Sequence, residues 1–205
     1  GTAVLMLVGA VLCAFMLPAD GPRSERVAVS IVDPLKALRN RTLLITSIGS
    51  AFYTGALFTV IAWAPIAMGL RPIYAGLVFF GWGLLTAVAG VFVAPLLARV
   101  VGEKAGVMVA ISTYGLVMVL AGIGTFTGQI WLIGLAVILS GFPSGVLNTL
   151  FTDVAMSAVG GDTPRSVSSA GFSFLRWMGA AIAAVLVAYL AKWTGSEATP
   201  WWFAT

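Results

Sequence analysis

The 205-residue sequence is 60% hydrophobic and 9% charged, against about a quarter charged in an ordinary soluble domain, and its formal net charge is +4. That balance excludes a soluble globular fold. The basic residues lie in loops between apolar stretches rather than on one face, which excludes a nucleic-acid surface. There is no histidine and one cysteine, Cys13, so the commonest metal ligand and general base is missing and no intrachain disulfide can form.

No charged residue stands between Arg41 and Arg71, between Arg71 and Arg99, or between Lys104 and Asp153. A bilayer core about 30 Å thick is crossed by a helix of roughly 20 apolar residues, so these windows predict an all-α polytopic transmembrane helix bundle. Residues 1–17 read as the end of a transmembrane helix. The run Ala3 to Leu17 lacks the basic flank of a signal peptide, and Leu12 is too large to precede a lipoprotein cysteine. Residues 18–41 form the expected cytoplasmic loop, with Arg23, Arg26, Lys36, Arg39 and Arg41 set against Asp20, Glu25 and Asp33. Within it Val27, Val29, Ile31, Val32, Leu35 and Leu38 suit an amphipathic helix on the membrane surface, with Asp33 and Pro34 as the cap and first position of a short helix.

A bundle is expected over 42–205. Its spans fall at about 42–68, with a kink at Pro65, about 73–97, and then about 106–125 and 129–152. The 48 residues from Ala105 to Thr152 exceed one crossing and break at Thr125 to Gln129. The last complete span is about 168–191, and Trp201, Trp202 and Phe203 read as an aromatic belt opening another at 199. Both ends are expected to be cut through helices. If 18–41 is cytoplasmic, Arg99, Lys104 and Arg165 fall on the same side, and only Arg71 and Lys192 face outside, as the positive-inside rule requires.

Arg176 breaks the apolar pattern. A charge near the bilayer centre costs at least about 2.5–3.5 kcal/mol, so such residues face a bundle interior or a wet cavity. Arg176 therefore reads either as a charge on a transport path or gate, or as a helix-locking partner of Asp153 or of a carbonyl cap. Its depth is about 16 Å if its helix begins near Arg165 and about 9 Å if it begins near Ala170. Asn148 either contacts substrate or bonds a neighbouring helix. Gly141-Phe-Pro-Ser-Gly145 combines close-packing glycines with a kink. Phe52, Ala56, Thr59 and Trp63, bordered by Tyr53, share one helix face, and Phe79, Trp82 and Thr86 share another. Such walls suit large apolar or cationic molecules, or simply lipid. No carboxylate stands at mid-membrane, no intramembrane catalytic set is present, and no nucleotide-binding motif appears. Neither an enzyme nor a cofactor nor a metal is expected.

The stretch from Gly81 to Lys104 ends in a very short basic turn, Arg99-Val-Val-Gly102-Glu-Lys104. It resembles the cytoplasmic loop motif of the major facilitator superfamily, with Ala98 where that family carries an acid. Asp33-Pro-Leu-Lys-Ala-Leu-Arg-Asn-Arg-Thr-Leu-Leu followed by Ala62-Trp-Ala-Pro65 resembles the central loop and seventh helix of bacterial drug-efflux members. Asn148-Thr-Leu-Phe-Thr-Asp153 with Pro164-Arg-Ser-Val-Ser-Ser-Ala-Gly171-Phe-Ser-Phe-Leu-Arg176-Trp-Met-Gly179 resembles their tenth and eleventh helices. The resemblance implies the C-terminal six-helix half of that fold with its last helix truncated. It also implies a secondary transporter of the bacterial inner membrane that exports drugs or other amphipathic small molecules by alternating access. Its partners would be the substrate, the lipid bilayer and a missing N-terminal transmembrane half, which would hold the protonatable group if protons drive transport. A non-transporting scaffold or a small oligomeric permease is the alternative.

Overall fold

The computed structural model describes residues 7, 11, 15, 30, 32–158 and 165–195. The expected surface helix before Ser30 and the expected span opening at 199 lie outside the described residues, as does most of the expected partial span over 1–17. Among the described residues there is no strand. A short helix α1 (Asp33–Ala37) precedes five helices long and apolar enough to cross a membrane: α2 (Arg41–Met68), α3 (Pro72–Val101), α4 (Glu103–Phe126), α5 (Ile130–Ser157) and α6 (Arg165–Thr194). The chain is thus an all-α polytopic helix bundle.

Local chemistry sets the boundaries. Asn40 caps α2: its Oδ1 accepts from the backbone N–H of Thr42 at 3.0 Å and of Leu43 at 3.2 Å, two of the donors a helix start leaves unpaired. Its side-chain amide also donates to the Ala158 carbonyl at 2.9 Å, tying the start of α2 to the end of α5. Gly69, in the left-handed region at φ 56°, ends α2. Gly102, at φ 85°, alone separates α3 from α4, so the basic turn expected at 99–104 is one residue of non-helical chain. The short helix departs from expectation at its cap. Val32 holds the cap position, Asp33 is the first helical residue, and the Asp33 carboxylate accepts from Lys36 Nζ at 3.0 Å instead. Of the amphipathic surface helix expected over 27–38, the described helical part is Asp33–Ala37, none of whose residues is buried; Val27, Val29 and Ile31 lie outside the described residues.

The helix α3 is continuous but contains a π-helical turn at Ala89–Val93. Pro95 explains it. Proline has no N–H to give, and its ring would clash with the carbonyl four residues back, so the helix widens just before it. The Thr149 hydroxyl of α5 reaches the Gly90 carbonyl in this turn at 3.3 Å.

Helix α5 is the hub. It packs on α2, α3 and α4, and 61% of its most apolar stretch is buried, against 11% for α3. Lipid is as apolar as leucine, so helices gain little by hiding side chains from it and associate instead where small residues let backbones touch. Gly141 and Gly145 of α5 sit directly against the Trp82 and Thr86 carbonyls of α3, and Gly179 of α6 sits against the Ala51 backbone of α2. The GxxxG spacing read in the sequence therefore packs α5 on α3. A Cβ at position 179 meets backbone, which cannot rotate away. Gly179→Val should force α2 and α6 apart and cost about 1–3 kcal/mol. Gly76→Ala, facing open space inside a helix, should not destabilise and should add up to about 1 kcal/mol. Thermal unfolding of the two variants in detergent, followed by tryptophan fluorescence, checks this; a parental midpoint for Gly179→Val would dismiss the seam.

Candidate functional site

The helices alternate in direction because their connections are too short for anything else, so Arg41, Arg99, Lys104 and Arg165 gather at one end of the bundle and Arg71 lies at the other. Arg99, Gly102 and Lys104 are all exposed there.

Helix α6 begins at Arg165, not near Ala170, so the deeper placement of Arg176 applies: eleven residues at 1.5 Å each, about 16 Å along the helix. The helix is 30 residues long, roughly 45 Å, so a 30 Å hydrocarbon layer centred on it puts Arg176 about 9 Å inside. Asn148 lies nine residues before the end of α5 at Ser157, at matching depth. Arg176 donates from Nη2 to Asn148 Oδ1 at 2.6 Å, joining α6 to α5. Charge-assisted bonds of this kind are short and strong. The expected ion pair with Asp153 is absent among the described residues. Asp153 is five residues beyond Asn148, about 140° further round the helix at 100° per residue, and its side chain is exposed.

Tyr53 of α2 is 6% exposed, and its hydroxyl donates to the Ser144 carbonyl of α5 at 3.2 Å. Its ring meets Tyr114 of α4 edge-on at 5.7 Å and lies 6.3 Å from Phe151. Tyr114 was not legible as a site residue. A lone tyrosine in the middle of an apolar span was the available signal, since its hydroxyl must be placed somewhere. Here that hydroxyl is buried and has no hydrogen-bond partner among the described residues, like Ser144 Oγ and Trp82 Nε1.

A cavity of about 740 Å³ opens between α2, α4, α5 and α6, with Phe52, Tyr53, Tyr114, Leu147, Met178 and Ile182 among its lining residues. Asn148 and Arg176 lie one position along from the lining residues Leu147 and Leu175. The first aromatic face read in the sequence divides. Phe52 is exposed on the cavity, Thr59 is fully buried with its hydroxyl on the Gly55 carbonyl at 3.0 Å, and Trp63 is half-buried. On α3, Phe79 and Trp82 meet edge-on at 6.4 Å, and Thr86 bonds the Trp82 carbonyl at 2.9 Å. Neither threonine hydroxyl is offered to a ligand. Of Tyr53, Trp63, Trp82, Asn148, Asp153 and Arg176, only Tyr53 lines this cavity; Arg176 and Asn148 are joined to each other, and both tryptophans lie outside the cavity wall. No group of three or more metal-ligating side chains occurs among the described residues.

Over 192 residues the chain is 32% identical to the multidrug efflux protein YfmO of Bacillus subtilis (strain 168), a match that covers 94% of this chain and 47% of that protein. No family model matches the chain. The chain spans about half the length of the curated relative it matches. With its five apolar helices, it is a multi-pass integral membrane protein of the bacterial plasma membrane and a relative of a bacterial multidrug efflux protein.

The Tyr53 contacts give a direct expectation. Tyr53→Phe keeps the ring packing and removes only the bond to Ser144, at a cost of about 0.5–1.5 kcal/mol. Tyr53→Ala also empties the ring's place and should cost about 3–5 kcal/mol. Unfolding in mixed micelles ranks the two; equal losses would mean the hydroxyl, not the ring, carries the contact.

Proposed function

We propose that this chain is the C-terminal half of a secondary transporter of the major facilitator type, and that the whole protein exports amphipathic small molecules by alternating access. The observation that carries this reading is the 32% identity across 94% of the chain to a multidrug efflux protein. The ordered loop and helix motifs and the gathering of basic residues at one bundle end support it. In this reading that end is cytoplasmic, and the turn Arg99, Gly102 and Lys104 is the point where two helices pivot together. The candidates for the substrate path or its gate are Tyr53, which lines the cavity, and Asn148, Arg176, Asp153, Trp63 and Trp82, which do not.

Energy coupling needs a group that changes charge. The acidic residues of the five spanning helices, Glu103 and Asp153, lie at or near helix ends. A proton-driven cycle would therefore take up its proton in the rest of the protein, and this half would supply walls, pivots and the Arg176 charge.

The test uses the full-length protein in a bacterial host stripped of its own efflux pumps and loaded with ethidium or with 1-pyrenebutyrate. At least one dye should leave several-fold faster than from the empty host, and a protonophore should abolish the difference. Loss of neither dye above the empty host, with the protein present in the membrane, would favour the scaffold reading.

A further inference from the structure

We propose that Arg176, oriented by Asn148, binds the anionic oxygens of an amphipathic organic acid. A guanidinium carries five N–H donors in a planar fork suited to a carboxylate. Among the described residues Arg176 makes one bond, to the neutral Asn148 Oδ1, and its Nε is buried without a partner. No carboxylate pairs with it among the described residues, where the ion pair of Lys36 with Asp33 is elsewhere in the chain. An unpaired charge at this depth is expensive, and an amide orients it without neutralising it. Asn148 also adds donors: presenting Oδ1 to the arginine leaves its NH₂ free for a second oxygen.

The neighbourhood supplies the rest of the ligand's chemistry. The cavity of about 740 Å³ reaches Leu147 and Leu175, next to Asn148 and Arg176 in sequence, and its walls are aromatic and aliphatic. Neither Asn148 nor Arg176 lines that cavity itself, so in this proposal a flat apolar body occupies it and its acid group reaches past Leu147 and Leu175 to the arginine. A cationic group in the same place would meet an uncompensated positive charge. That the acid is exported as well as bound rests on the transport reading above; the binding site does not.

Three probes share one apolar body: 1-pyrenebutyrate, its methyl ester, and pyrenebutyl-trimethylammonium. Their binding to the full-length protein in nanodiscs, with empty nanodiscs subtracted, separates charge from hydrophobicity. The acid should bind at least tenfold more tightly than the ester, and the cation most weakly. Arg176→Gln should bring acid and ester together, while Arg176→Lys should keep part of the preference. Asn148→Asp places a carboxylate on the guanidinium, so that variant should fold and lose the preference. Equal binding of acid and ester by the parent protein overturns the proposal and points to a carboxylate from elsewhere in the protein as the arginine's partner. A preference that survives in Arg176→Gln or Asn148→Asp overturns it as well. Preferential binding of the acid without its export from cells leaves the site standing and defeats the transport reading.

Discussion

The absence of water from the bilayer core is the constraint on which this structure depends. It removes the usual reward for burying leucine and valine, because lipid accepts them as readily as protein does. What remains is contact between backbones and the satisfaction of polar groups within the chain. Glycine supplies the first. Gly141 and Gly145 bring α5 onto α3, and Gly179 brings α6 onto α2, each against main-chain atoms that have no freedom to yield. The large apolar side chains are left facing outward: Phe80 is 70% exposed, Phe92 69% and Val185 71%. In water such a surface would aggregate; in lipid it is solvated.

The same constraint governs the polar side chains. Thr54, Thr59, Thr86 and Thr125 each turn a hydroxyl back onto the carbonyl one turn earlier in their own helix. These residues are thereby neutral to their surroundings and leave the apolar character of the bundle intact. Others act between helices instead, among them Thr149, whose hydroxyl bonds the Gly90 carbonyl of α3. Tyr53 bonds the α5 backbone, and Arg176 bonds the Asn148 side chain. Arg176 differs in kind because its amide partner satisfies geometry but not charge. In the proposed site this charge would sort a ligand by its own charge before its shape.

Much of this was legible in the sequence, and the limits have physical reasons. Charge-free windows mark the spanning helices because a charge in lipid is penalised whatever the fold. Positions of helix ends were less legible. Arg165 begins α6 and Ser157 ends α5, since helices extend beyond the hydrocarbon into the interface where polar residues are no obstacle. The π turn at Ala89–Val93 had its signal in Pro95, which demands an adjustment somewhere upstream, but sequence does not say which register the helix takes. Arg176 and Asn148 were each singled out, yet their union was not. Matching depths, eleven residues from one helix start and nine from a neighbouring helix end, were the available clue. The pairing of Arg176 with Asp153 failed because opposite charge is a weaker guide than helix phase: Asp153 points away from the face that α6 approaches.

Arg176 and Asn148 interact directly within the membrane, and among the described residues no carboxylate shares the arginine. A double-mutant cycle on unfolding free energy measures that interaction, using Arg176→Met, Asn148→Leu and the combined variant of the full-length protein in mixed micelles. The account predicts a coupling of about 1 kcal/mol or more between the two positions. It also predicts no measurable coupling when Asp153→Asn replaces Asn148→Leu in the cycle. Additive losses for Arg176 and Asn148, or strong coupling of Arg176 to Asp153, would contradict it.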